Sequence, residues 1–271
     1  MSLTDLKGKL NKIFKAVFKL FMSKKQITLK KLILSKEDVS RMEPGQLRHY
    51  FIITNILHDL DFYGKLLIFI VNSPAPSRVE NYGKAVSQIF ILIKYISSIY
   101  EMFKFLKKDV IGKVDERSDL KAEANKIIMG YKSNYEEIYC FIRNKYGFHY
   151  EWQKDLEPFI CEAVKEYGEL DIYLSDILSG NDVFASSSAV VFMTIINKMK
   201  KHGYHNKNTK EIFEDLRNST INIGEQLRKF YRRYLVEVVL KSVKFVDTGE
   251  VIEVPAKKFS ECQLSFFVVS G

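Results

Sequence analysis

Residues 78–108, RVENYGKAVSQIFILIKYISSIYEMFKFLKK, decide how the rest of the chain reads. Val79, Val86, Ile89, Phe90, Ile93, Ile96, Ile99, Tyr100, Phe103 and Leu106 recur at helical spacing, so they share one buried side of a long helix. Ahead of it, Gln46 to about Asn72 is a second, strongly apolar helical run, preceded by the boundary Pro44-Gly45. Between the two lies Ser73-Pro74-Ala75-Pro76-Ser77, which stops the first helix and lets the second reverse direction. An antiparallel helical hairpin is predicted.

Working outward, the pattern stays helical. A fourth helix runs from about Ser118 to Tyr146, with Gly147 as its C′ residue. Pro158 opens a fifth, 157–179, closed by Ser179-Gly180. Asp182 caps a sixth, 184–201, which ends at Gly203, and Thr209 begins a seventh that reaches about Ser242. Residues 3–22 form a basic amphipathic helix, with Leu3, Leu6, Leu10, Ile13, Phe14, Val17, Phe18 and Phe21 interleaved with five lysines. Residues 24–43 read as a charged connector with one apolar run, Leu32-Ile33-Leu34, forming a turn of helix. The tail changes character: Val243–Val246 and Glu250–Val254 flank Asp247-Thr248-Gly249 like a β-hairpin, and Gln263–Val269 offers a third strand. The expected architecture is all-α, an elongated bundle of about six to seven helices with a small C-terminal β-hairpin. It divides into an N-terminal helix (1–24), a helical domain (25–242) and a β appendage (243–271).

Composition agrees. Of 271 residues 46% are hydrophobic and 28% charged, as in globular proteins. Thirteen Gly and five Pro are little punctuation, which favours long helices. The net charge of +9 points to an anionic partner, nucleic acid or an acidic membrane surface. Cys140, Cys161 and Cys262 form neither a disulfide framework nor a Cys-x-x-Cys pair, so a reducing cytoplasm is expected. No run approaches the roughly 18 apolar residues of a membrane span, and the amino terminus lacks the apolar core of a signal peptide. The motifs of serine hydrolases, P-loop enzymes and zinc proteases are missing.

The compact chemical set is Phe141-Ile142-Arg143-Asn144-Lys145-Tyr146-Gly147-Phe148-His149-Tyr150. Arginine presents a rigid, permanently charged fork that matches phosphate oxygens. Histidine titrates near neutrality and moves protons, and Asn144 adds an amide donor and acceptor. Together they suit a phosphodiester attacked by a ribose 2′-hydroxyl, for which no metal or other cofactor is expected. On a regular helix Arg143 and His149 would sit roughly 120° apart, so convergence requires a break near Gly147. The structural alternative pairs Arg143 with Glu136 and leaves His149 to cap a helix end.

Arg143-Asn144-Lys145-Tyr146-Gly147-Phe148-His149 resembles the R-x(4–6)-H signature of the HEPN superfamily, including the polar residue after the arginine. The resemblance implies a helical bundle, commonly dimeric, and a metal-independent ribonuclease of toxin–antitoxin or abortive-infection systems that leaves a 2′,3′-cyclic phosphate. It implies Arg143 at the scissile phosphate, His149 as general acid or base, and Asn144 orienting one of them. The close match covers about ten residues; the chain is longer than a minimal HEPN domain, and its β tail is not part of that family's core.

Other groups carry weaker signals. Tyr131, Tyr135, Tyr139 and Arg143 form an i, i+4 stripe that suits either base stacking or a core. Lys145, Tyr139, Tyr146, Lys200 and Lys201 are the candidate RNA contacts. Lys198, Lys207 and Lys210 add charge around His202 and His205, a His-x-x-His pair without a third ligand at suggestive spacing. Arg228, Lys229, Arg232 and Arg233 form another basic cluster, and His58, Asp59 and Asp61 read as polar groups on a helix. A neutralising antitoxin is a possible regulatory partner. The competing functional class is a non-catalytic helical interaction protein that uses residues 3–22 on a membrane or a protein partner.

Overall fold

The computed structural model describes residues 26–33, 36–115, 118–147, 161, 172–173, 183–241 and 246–255. The predicted helices 3–22 and most of 157–179, the Asp182 cap, the third strand Gln263–Val269 and His149 lie outside these residues. The described chain is predominantly helical. Its elements are β1 (Gln26–Ile33), α1 (Lys36–Arg41), α2 (Pro44–Asn72), α3 (Arg78–Phe105), α4 (Asp119–Asn134), α5 (Glu136–Ile142), β2 (Ile172–Tyr173), β3 (Val183–Phe184), α6 (Ala185–Met199), α7 (Thr209–Tyr234) and β4 (Val246–Pro255).

The helices begin where local chemistry allows. Pro44 occupies the first turn of α2, where a missing N–H costs nothing. Ser77 caps α3 reciprocally: its hydroxyl accepts from the Glu80 amide at 3.1 Å, and the Glu80 carboxylate accepts from the Ser77 amide at 3.0 Å. Asn208 and Glu211 make the same box at the start of α7. Ser118 accepts from the Lys121 amide and opens α4. The predicted fourth helix is broken, because Tyr135 leaves helical geometry at φ −134°, ψ −20°. The break follows Ser133-Asn134, whose side chains both donate to the Gly130 carbonyl and compete with the helix ladder.

Helix α3 is the centre of the bundle from Glu43 onward. Leu92, Ile93, Tyr95, Ile96, Ser97, Ile99, Met102 and Phe103 are all buried, a wide arc of its second half, while Lys94, Ser98 and Glu101 on the remaining side are part-buried. The predicted buried face needs one correction: Phe90 is half exposed, whereas Leu92, outside that prediction, is buried. The hairpin with α2 is antiparallel, since Lys84 near the start of α3 donates to the Ser73 carbonyl and the Phe105 ring at its end lies 5.3 Å from that of His49. Tyr231 of α7 donates to the Met102 carbonyl at 2.6 Å, satisfying a fully buried phenol. Among the described residues, no helix is long and apolar enough to cross a membrane.

The β structure differs from expectation. Asp247-Thr248-Gly249 does not turn the chain back; it lies within β4, which pairs antiparallel with β1 from Gln26↔Pro255 to Ile33↔Val246. The register shifts between Lys30 and Leu32, opposite the residues that read as a turn, so the extra residues form an irregularity in a continuous strand. Residues 26–33, read as connector and helix, are therefore strand. The chain accordingly divides between Met42 and Glu43 rather than near residue 24, with β1, α1 and β4 in one unit and the helical bundle in the other. Ile172–Tyr173 pairs with Val183–Phe184, so a helix does not run unbroken through 157–179.

One end of the bundle is built around a buried imidazole. His49 Nδ1 lies 3.0 Å from the Tyr234 hydroxyl and its Nε2 lies 3.1 Å from Lys113 Nζ. An ammonium only donates, so Nε2 accepts and Nδ1 carries the proton given to Tyr234. Burial first, and the Lys113 ammonium second, lower the His49 pKa below its ordinary 6.5, with Asp109 opposing and Arg48 adding to the shift. The unfolded chain therefore binds this proton more readily than the folded one. Stability contributed by neutral His49 is complete above about pH 6.5 and is lost as pH falls through the lower folded value. Urea midpoints measured from pH 7 to pH 5 should fall for the wild type and fall less for His49→Gln; parallel curves would refute this account.

Candidate functional site

Helix α5 passes without interruption into a π-helical turn, Arg143–Gly147. Three side chains on one face of α3, spaced i, i+3 and i+7, hold that turn. Lys94 Nζ donates to the Gly147 carbonyl at 2.6 Å, placing a cation against the carbonyl end of the segment. Ser97 packs against Gly147 so closely that a Cβ there would lie 2.8 Å from the serine Cβ. Glu101 Oε1 lies 2.7 Å from Arg143 Nε. Both atoms of that pair are sealed from solvent, and the N–H is not aimed squarely at the oxygen, so the contact is an ion pair rather than a well-aligned hydrogen bond. The rest of the Arg143 side chain remains about a quarter exposed.

Gly147 is not the left-handed C′ residue that its position after the helix suggests. Among the described residues only Gly203 has positive φ, at 99°, and it follows α6 as predicted. Glycine stands at 147 because α3 leaves no room for a side chain. The predicted Arg143–Glu136 pairing is also replaced, since Glu136 pairs with Lys107 at 2.5 Å.

Around this centre, Arg143 Nη1 donates to Asn144 Oδ1 at 3.1 Å, and Asn144 Nδ2 reaches the Cys140 sulfur at 3.3 Å. The Tyr100 phenol is pushed up to about 12 by its hydrogen bond with Cys140 and by burial, so it stays protonated and is no base at neutral pH. Tyr146 is half-buried; desolvation raises its pKa, and Thr194 of α6 bonds to it. Helix α6 is further tied to α5 where Lys198 Nζ and His202 Nε2 both lie 2.9 Å from Glu137 Oε1 and where Lys198 sits over the Phe141 ring. The Lys198 hydrogen bond pulls the Glu137 carboxyl below its usual range. Lys200, half-buried, and Lys201, exposed, lie in the turn after α6, while Lys145 is half-buried beside Asn144.

Tyr139 does not serve as an RNA contact. It is fully buried, and because Thr220 already donates to the Leu216 carbonyl, the Tyr139 hydroxyl donates to Thr220 at 2.9 Å. With Tyr131 at 2% exposure, the tyrosine stripe is core, and the break at Tyr135 takes it off a single helix face. Two of the four members of the late basic cluster are paired internally, Arg228 with Asp61 and Glu225, Arg233 with Glu123 and Glu237. Among the described residues, no three His, Cys, Asp or Glu side chains converge as a metal-ligand set.

Sequence reasoning missed Lys94, Ser97 and Glu101. Their signal was present: Lys94, Ser97 and Glu101 recur at i, i+3 and i+7 within the apolar second half of the helix and mark a face that meets something polar. Comparison with protein-family models, curated proteins and solved structures returned no match.

Proposed function

We propose that this chain is a HEPN-like, metal-independent endoribonuclease that acts as a cytoplasmic homodimer in a toxin–antitoxin or abortive-infection system. The observation that supports the reading is the placement of Arg143: an always-charged guanidinium on a partly exposed side chain, held at the end of α5, next to Asn144 and six residues before His149. In this reading Arg143 neutralises the scissile phosphate. His149 takes the proton of the attacking 2′-hydroxyl or delivers one to the leaving 5′-oxygen, so the P–O5′ bond breaks as the 2′,3′-cyclic phosphate forms. Lys145, Tyr146, Lys200 and Lys201 contact the RNA, and an antitoxin-like protein is the regulatory partner.

A second reading, a non-catalytic helical interaction protein, is favoured by one observation. Phe51 and Phe62 of α2 are 56% and 53% exposed on the same side as His58, two large apolar side chains open to solvent on one helix face. Contact of residues 3–22 with an acidic membrane belongs to this second reading. One experiment separates the two. Purified wild type should cleave single-stranded RNA in EDTA, and Arg143→Ala and His149→Ala should each slow cleavage by at least about 100-fold with an unchanged helical circular-dichroism signal. Cleavage that persists in both variants overturns the ribonuclease site, and wild-type protein that leaves RNA intact favours the interaction protein.

A further inference from the structure

We infer that Glu101 is a positioning residue for Arg143, fixing the guanidinium by its Nε edge against α3; the inference rests on the ribonuclease reading of Arg143 and His149. A guanidinium is a rigid planar fork on a flexible stem, and two contacts on different nitrogens are enough to set its plane. Here those contacts are Glu101 Oε1 on Nε at 2.7 Å and Asn144 Oδ1 on Nη1 at 3.1 Å. They differ in kind. Asn144 is the exposed chain neighbour of Arg143 and moves with it, whereas Glu101 belongs to the central helix, 42 residues earlier in the chain. The Nε–Oε1 contact is closed to water, so it holds at salt concentrations that screen surface pairs.

Among the described residues, Glu101 has one further cation near it, Lys104 at 3.7 Å from Oε2. The longer, i, i+3 contact with an exposed lysine is a surface pair of small effect. The carboxylate is therefore directed chiefly at Arg143. Its charge also weakens the pull of Arg143 on a phosphate, which is the opposite of what a residue selected for RNA affinity would do. An effect on geometry predicts a different outcome from an effect on charge. Loss of geometry lowers the rate at saturating substrate, because the donors must fit the developing charge in the transition state. Loss of the carboxylate charge alone strengthens RNA binding.

The test uses full-length protein and a short single-stranded RNA oligonucleotide in EDTA, with cleavage measured across RNA concentration. Glu101→Gln loses the ion pair but keeps an oxygen of the same reach, whose dipole and van der Waals contact still seat the Nε edge; kcat should fall less than in Glu101→Ala, staying within about threefold of wild type, with KM unchanged or lower. Glu101→Ala should lower kcat at least about tenfold, with KM changed far less. A wild-type kcat in Glu101→Ala, or an equal fall in both variants, overturns the positioning role. A second readout is independent of cleavage: the Nε–H resonance of Arg143, identified by its loss in Arg143→Lys, should exchange slowly with water in wild type and in Glu101→Gln, and quickly in Glu101→Ala. If wild type cuts no RNA, the ribonuclease reading fails, while a fast-exchanging wild-type resonance refutes the Glu101 clamp itself.

Discussion

Gly224→Ala should destabilise the bundle by roughly 3 kcal/mol, the upper part of the range for overpacked cores. The direction is not obvious, because alanine in a helix interior is ordinarily better than glycine by about 0.5–1 kcal/mol. Packing reverses the sign here. A Cβ at Gly224 would stand 2.6 Å from Tyr95 Cζ and closer still to its hydroxyl, and both residues are buried. The Tyr95 hydroxyl also faces Gly64 on α2, where an added Cβ would lie 3.5 Å away. The ring of α3 is thus wedged between glycines of α2 and α7, and burial pushes its phenol far above the usual range. Tyr95→Phe removes the oxygen that collides first, so Gly224→Ala in that background should cost clearly less than in wild type. Urea unfolding followed by circular dichroism measures the cycle. A destabilisation below about 1 kcal/mol in Gly224→Ala would mean that Tyr95 is not confined as described.

Gly147→Ala should act at the candidate site by the same physics, lowering stability by about 1–3 kcal/mol. The added Cβ would lie 2.8 Å from Ser97 Cβ and nearer to its hydroxyl, which is itself committed to the Ile93 carbonyl at 2.7 Å. The turn must then move off α3, carrying Arg143 away from Glu101 and the Gly147 carbonyl away from Lys94. On the ribonuclease reading, cleavage falls with it. Ser97→Gly vacates the colliding atoms and should restore both stability and activity to the double variant. Gly130→Ala is the internal control, since a Cβ there meets nothing within 4 Å on an exposed face of α4, and it should be neutral or slightly stabilising. Equal effects of Gly147→Ala and Gly130→Ala would dissolve the argument that α3 dictates residue 147.

Much of the candidate site is hard to read along the chain for one reason. Arg143 and Asn144 announce themselves by chemistry, but whether Arg143 pairs with Glu136 on its own helix or with Glu101 on another depends on how α5 rests on α3. The i−7 partner is a reasonable expectation on a straight helix. It loses because Lys107 takes Glu136 while Glu101 of α3 takes Arg143. Tyr139 shows the same limit: an amphipathic tyrosine suits a base or a core equally, and only the neighbouring α7 with Thr220 makes it core.

What the amino-acid sequence by itself determined is the set of local decisions: predominantly helical structure, the antiparallel pair α2–α3, and the stop at Gly203 with a restart near Thr209. Each rests on periodicity, a proline, a cap or a left-handed glycine, all of which act within a few residues. The tertiary structure decided the rest. It paired β1 with β4 from opposite ends of the chain in place of a local hairpin, although Asp247-Thr248-Gly249 has good turn chemistry. It also set α3 against Gly147 and Arg143, making glycine at 147 a matter of space rather than backbone freedom. Strand partners and helix contacts are chosen by burial and register among distant segments, and no short window of sequence contains both sides of that choice.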